Sequence, residues 1–69
     1  MEMIQKNGKF IIIGAFVLRI KDVQAVVVDE NMTIKIMMRG SDRVYMTPCN
    51  NEEMVTAYVQ KILYLLNED

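Results

Sequence analysis

Cys49 is the single thiol of the chain, and it stands just before a predicted helix that opens on Glu52-Glu53-Met54-Val55. A helix N-terminus can lower a thiol pKa and make the sulfur nucleophilic. Nucleophilic catalysis also needs a base, most often His, and the chain has 0 His. The plainer reading is a small, partly buried residue between Pro48 and the helix, since free Cys favours burial. The carboxylates form no catalytic pair in sequence. Asp29-Glu30 falls in a turn, Glu52-Glu53 at a helix start and Asp22 at a strand interruption, all ordinary places for acids. Gly8, Gly14 and Gly40 are isolated and lack phosphate-loop spacing. One Cys without His speaks against zinc. The expectation is no enzyme, no catalytic residue, no cofactor and no metal.

The richest surface set lies on a hairpin. A three-residue Gly40-Ser41-Asp42 loop sets Arg39 opposite Arg43, Met38 opposite Val44, Met37 beside Tyr45 and Ile36 beside Met46, which keeps apolar against apolar. Three-residue hairpins usually want Gly last, and here it is first. In that register Lys35, Arg39, Arg43, Tyr45 and Thr47 share a face with Met37. Facing arginines repel unless an anion sits between them. Basic residues with Tyr form a candidate anion or nucleic-acid face made of Lys35, Arg39, Arg43 and Tyr45. Against it stands the net charge of −1, from 8 Lys+Arg and 9 Asp+Glu, because phosphate binding usually shows a basic surplus.

The elements that must carry these residues are strands followed by one helix. Asn7-Gly8 is a hairpin signal that would join Met1–Lys6 to Lys9–Gly14. Phe10-Ile11-Ile12-Ile13 is a continuous apolar strand, with a bend or bulge expected at Gly14-Ala15. Phe16, Leu18 and Ile20 then alternate with Val17, Arg19 and Lys21. Lys21-Asp22 interrupts, Val23–Val28 resumes, and Asp29-Glu30-Asn31 turns. Met32–Arg39 gives the clearest alternation, with Met32, Ile34, Ile36 and Met38 on one face. Pro48 ends the last strand. Asn50, three before Glu53, reads as a loose capping box. Met54, Val55, Tyr58, Val59, Ile62, Leu63, Leu65 and Leu66 fill an arc of about 180° on the helix, wider than the roughly 100° one sheet requires. A second surface should touch this helix.

Composition sets the same problem. The chain has 69 residues, 52% hydrophobic and 25% charged, so it is neither disordered nor a disulfide scaffold. A chain of this size buries only ~60% of its unfolded surface. One small core rarely supplies more than roughly 3–5 kcal/mol, so such chains use staples. With metal and disulfide set aside, oligomerisation remains. The longest apolar run, Phe10 to Leu18, has nine residues between Lys9 and Arg19, against the ~20 that span a bilayer. Met-Glu-Met-Ile-Gln-Lys lacks signal-peptide order. A cytoplasmic location without membrane contact is expected. Phe10–Ile13 and Ala25–Val28 are apolar on both faces, whereas an uncovered antiparallel face normally turns polar. A second copy is the simplest cover, with a dimer favoured. Val26, Val28, Met37, Leu63 and Leu65 are the candidate interface. Seven Met in the chain, with Met37 on a polar face, suit an adaptable protein-binding surface.

Asn7-Gly8-Lys9, Ile20-x-x-Val23, Asp29 before Thr33-Ile34-Lys35-Ile36, Arg39-Gly40 and Glu52-Glu53-Met54-Val55 together form a linear pattern. It resembles very small proteins in which a short sheet precedes one C-terminal helix, such as the flagellar FlbD-like proteins. Small phage and mobile-element proteins look similar. The resemblance implies an accessory or regulatory protein acting by contact and carries no catalytic residue.

The expectation is therefore an α+β fold: one domain over 1–69, an antiparallel sheet of four to five strands within about 1–47, and a helix over about 51–67 packed on one face. The expected function is a non-enzymatic homo-oligomeric interaction or regulatory module with an unknown protein partner. The alternative is a nucleic-acid or nucleotide binder using the basic hairpin face.

Overall fold

A computed structural model describes residues 3–67. Met1 and Glu2, the expected start of the first strand, lie outside the described residues. Among the described residues the chain forms β1 (Ile4–Asn7), β2 (Phe10–Ile13), β3 (Phe16–Arg19), a one-turn 3₁₀ helix (Ile20–Asp22), β4 (Val23–Val28), β5 (Thr33–Met38), β6 (Val44–Pro48) and α1 (Glu52–Asn67). The fold is α+β, as expected, with the helix at the C-terminal end. The sheet differs from expectation. The strands form two antiparallel sheets of three, ordered β1-β2-β3 and β4-β5-β6, rather than one of four to five.

The reason lies at Gly14-Ala15. Ile13 pairs with Phe16, so these two residues are the whole loop of a hairpin rather than a bend in one strand. Gly14 takes φ +58°, the left-handed value that a tight hairpin asks of its first loop residue. The chain therefore reverses, and Phe16–Arg19 returns along Phe10–Ile13. The first hairpin uses the same loop length one residue later than expected. Asn7 pairs with Phe10, leaving Gly8-Lys9 as the turn. The 3₁₀ helix then carries the chain out of the first sheet into the second.

The core follows from alternation in the two central strands. Ile11 and Ile13 of β2, Ile34 and Ile36 of β5, and Ile62 of α1 are the most completely buried side chains. Ile4, Leu18, Cys49 and Leu65 complete the buried cluster. Each fully buried Ile contributes roughly 1.5–3 kcal/mol relative to exposure. The helix packs against both β1 and β5. That double contact accounts for the wide apolar arc: Met54, Val55, Tyr58, Val59 and Leu66 all pack on the core. The second surface expected on the helix is the other sheet of the same chain.

A bulge in β4 keeps the pattern consistent. Val23 pairs with Met38 and Ala25 with Met37, so Gln24 is the extra residue. Without it, Gln24 would face the core opposite Met38. With it, Gln24 is exposed while Val23 and Met38 both pack inward.

The helix cap is Asn51 rather than Asn50. Its Oδ1 accepts the Met54 amide at 2.8 Å, which supplies one of the donors that a helix start leaves open. Asn50 instead points its own amide at the Met54 sulfur, 3.4 Å away. Asn51→Ala should cost about 1 kcal/mol in urea unfolding, whereas Asn50→Ala should change stability by no more than about 0.5 kcal/mol.

Candidate functional site

The hairpin β5–β6 decides whether the basic residues form a site. Ile36 pairs with Tyr45, Lys35 with Met46, Ile34 with Thr47 and Met37 with Val44. The expected register is displaced by one residue, and a one-residue displacement moves every side chain of a strand to its other face. The cause is Gly40. The Ser41 amide donates to the Met38 carbonyl at 3.3 Å, and Gly40 takes φ +75°. These are the marks of a turn over Met38–Ser41 with Gly third, the position that requires positive φ in a type II turn. The Ser41 hydroxyl then accepts the Arg43 amide at 3.1 Å. The connection runs from Arg39 to Arg43, so the two arginines lie in the loop and do not face one another across a ladder.

The four residues of the expected anion face are consequently dispersed. Tyr45 lies on the inner side, its ring edge-on to Phe16 with centroids 5.0 Å apart. Lys35 lies on the outer side and pairs with Asp29 at 3.3 Å. Arg39 and Arg43 are exposed on the loop. The misplaced Gly was the signal in the sequence that could have revealed this.

Asp29 organises the β4–β5 turn. Its carboxylate accepts the Asn31 amide at 2.9 Å and the Thr33 amide at 3.0 Å. Between them Met32 adopts φ +58°, a left-handed conformation unusual for a non-glycine residue. The Thr33 amide foremost, with the Asn31 amide and Lys35, holds the Asp29 carboxyl below the ordinary carboxylate value, against an opposing effect of burial.

Cys49 is buried, and burial pushes its thiol pKa up. Its sulfur lies 4.0 Å from the Thr47 carbonyl oxygen. The helix start therefore does not make it a thiolate. Among the described residues, no group of three or more His, Cys, Asp and Glu is placed to hold a metal ion. No helix there is long and apolar enough to cross a membrane. A shallow groove of about 260 Å³ runs between β1 and α1, lined by Met3, Ile4, Ala57, Tyr58 and Lys61.

The outer faces of the sheets are the more informative surface. Strand register places Ala25, Val27, Thr33, Lys35, Met37, Val44, Met46 and Pro48 together on the outside of the second sheet. Val27 is 40%, Val44 38% and Met46 54% exposed. Lys35 is the one charged side chain among them, and Asp29 neutralises it. The first sheet turns Gln5, Asn7, Phe10, Ile12, Val17 and Arg19 outward, a mixed face, with the Arg19 guanidinium 6.0 Å from the Phe10 ring centre. Of the five expected interface residues, Met37 lies on this outer face and Leu63 is exposed on the helix. Val28 points to the inner side yet is 42% exposed at the sheet margin. Val26, partly buried, and Leu65, buried, also pack with the core, in keeping with the inward parity of Val26 with Ile36 and of Leu65 with Ile62.

Comparison with known proteins returns no matching family model, curated protein or solved structure.

Two measurements check these placements. Because the folded-state pKa of Asp29 is depressed, its stabilisation is complete above the ordinary carboxylate pKa of about 3.9 and lost as pH falls through the lower folded value. Asp29→Asn should remove that part of the acid dependence in unfolding curves taken below about pH 4. Cys49 should react slowly with a thiol reagent in the native protein at neutral pH and rapidly once urea unfolds it; fast native labelling would place the thiol at the surface.

Proposed function

We propose that this chain is a non-enzymatic interaction module that self-associates, as a homodimer, and acts by protein contact. The observation that carries the reading is the outer face of β4-β5-β6: three strands wide, apolar, and neutral apart from an ion pair. A solvated antiparallel face normally alternates to polar residues, whereas here exposed apolar side chains flank Lys35 on both sides, and exposed apolar patches mark protein-contact surfaces. Met37 and Met46 on that face suit it to adapt to what it touches. The absence of His from the sequence and the protonated state that burial imposes on Cys49 support a role without covalent chemistry. The resemblance to small sheet-plus-helix accessory proteins points the same way. The basic-face alternative has no comparable support, because its residues occupy an inner face, an outer face and a loop.

Sedimentation equilibrium across the micromolar range tests the reading. The expected result is a concentration-dependent shift from the 8.0 kDa chain mass to twice that value. A single monomeric species throughout would overturn self-association.

A further inference from the structure

On the premise of the self-association just proposed, we infer that the second copy binds along the open edge of β4, antiparallel and about a two-fold axis, so that the β4-β5-β6 sheets of the two copies become one continuous six-stranded sheet.

β4 has the composition of a central strand and the position of an edge strand. Val23-Gln24-Ala25-Val26-Val27-Val28 contains no Lys, Arg, Asp, Glu or Pro, yet among the described residues β4 ladders with β5 alone. Edge strands are ordinarily guarded by charge, proline, shortness or cover. The other three sheet edges among the described residues show such guards. β6 ends in Pro48 and is tied to β3 through the Tyr45–Phe16 ring contact. β3 is four residues long and ends in Arg19. β1 is four residues long and lies against α1. In β4 the bulge at Val23-Gln24 interrupts the ladder at one end only, leaving Ala25–Val28 regular.

The hydrogen-bonding direction can be read from the turn. The Asp29 amide donates to the Thr33 carbonyl at 3.1 Å, so Asp29 directs its backbone groups toward β5. Alternation along an antiparallel ladder gives Val27 the same direction and turns the backbone groups of Val26 and Val28 to the open edge. Two antiparallel copies satisfy these groups reciprocally, Val26 of each with Val28 of the other, with the two Val27 residues opposed at the axis. Val26, Val27 and Val28 then each gain a cross-strand neighbour. Val27, 40% exposed, meets its symmetry mate on the outer face, and Val28, 42% exposed, meets Val26 on the inner. This arrangement is isologous, as a closed dimer requires. The paired stretch in this register, Ala25 to Asp29, is about 17 Å long. A contact that short falls at the low end of interface sizes.

The test combines proline and cysteine variants of the full chain. Val28→Pro removes an outward amide and no intramolecular bond, so far-UV circular dichroism should stay native while the dimer weakens at least tenfold or disappears in sedimentation. Val27→Pro, whose amide serves β5, should instead destabilise the fold. In a non-bonded antiparallel pair Cα atoms lie about 4.5 Å apart, within disulfide range. Val27→Cys should therefore form an intermolecular disulfide under mild oxidation of the native protein. A wild-type dimer that survives Val28→Pro with native dichroism, or that leaves native Val27→Cys uncrosslinked, overturns the edge assignment and leaves the self-association reading standing. A wild-type monomer throughout the micromolar range overturns both.

Discussion

Five isoleucines meet where two sheets and one helix close on each other, and every other feature of this molecule is arranged around that meeting. Ile11 and Ile13 come from the middle strand of one sheet, Ile34 and Ile36 from the middle strand of the other, and Ile62 from the helix. A strand presents alternate residues to one face, so placing these four inward fixes the direction of all their neighbours. Ile12 and Phe10 must face out of the first sheet, and Lys35 and Met37 out of the second. A small chain has one helix to offer, and it is spent on the inner side.

The same constraint explains the irregular positions. Tyr45 and Thr47 join the inner side because they sit opposite Ile36 and Ile34, and the type II turn at Gly40 delivers that register. The β4 bulge spares the core from Gln24. Met32 holds a left-handed backbone because Asp29 accepts amides on both sides of it, which returns β5 in phase with β4. The apolar side chains on the outer faces are what remains once the inner side is filled.

Much of the secondary structure was legible in the residues. The alternation from Met32 to Arg39, the interruption at Lys21-Asp22, the stop at Pro48 and the stripe from Met54 to Leu66 are short-range patterns, and the strands and helix follow them. Less was legible at the turns. Gly14-Ala15 is compatible with both a bend and a tight hairpin, and only the pairing of Phe16–Arg19 with β2 decides between them. Gly40 carried the signal for its own turn, but the apparent match of Met38 with Val44 and Ile36 with Met46 favoured another register. Asn50 and Asn51 are chemically equal caps, and a shift of one residue in the helix start chooses between them.

The candidate surface divides along the same line. Composition and patterning alone determined that this chain has more apolar residue than one small core absorbs, and that Phe10–Ile13 and Ala25–Val28 are apolar on both faces. Those are properties of residue type and local order. Only tertiary structure decided which apolar side chains stay outside. Val26 and Leu65 went to the core, Met37 and Val27 to the outer face, and Tyr45 left the basic residues for Phe16. The physical reason is parity: a strand's inward side is set by what packs against it from distant parts of the chain, and that information is absent from the strand itself.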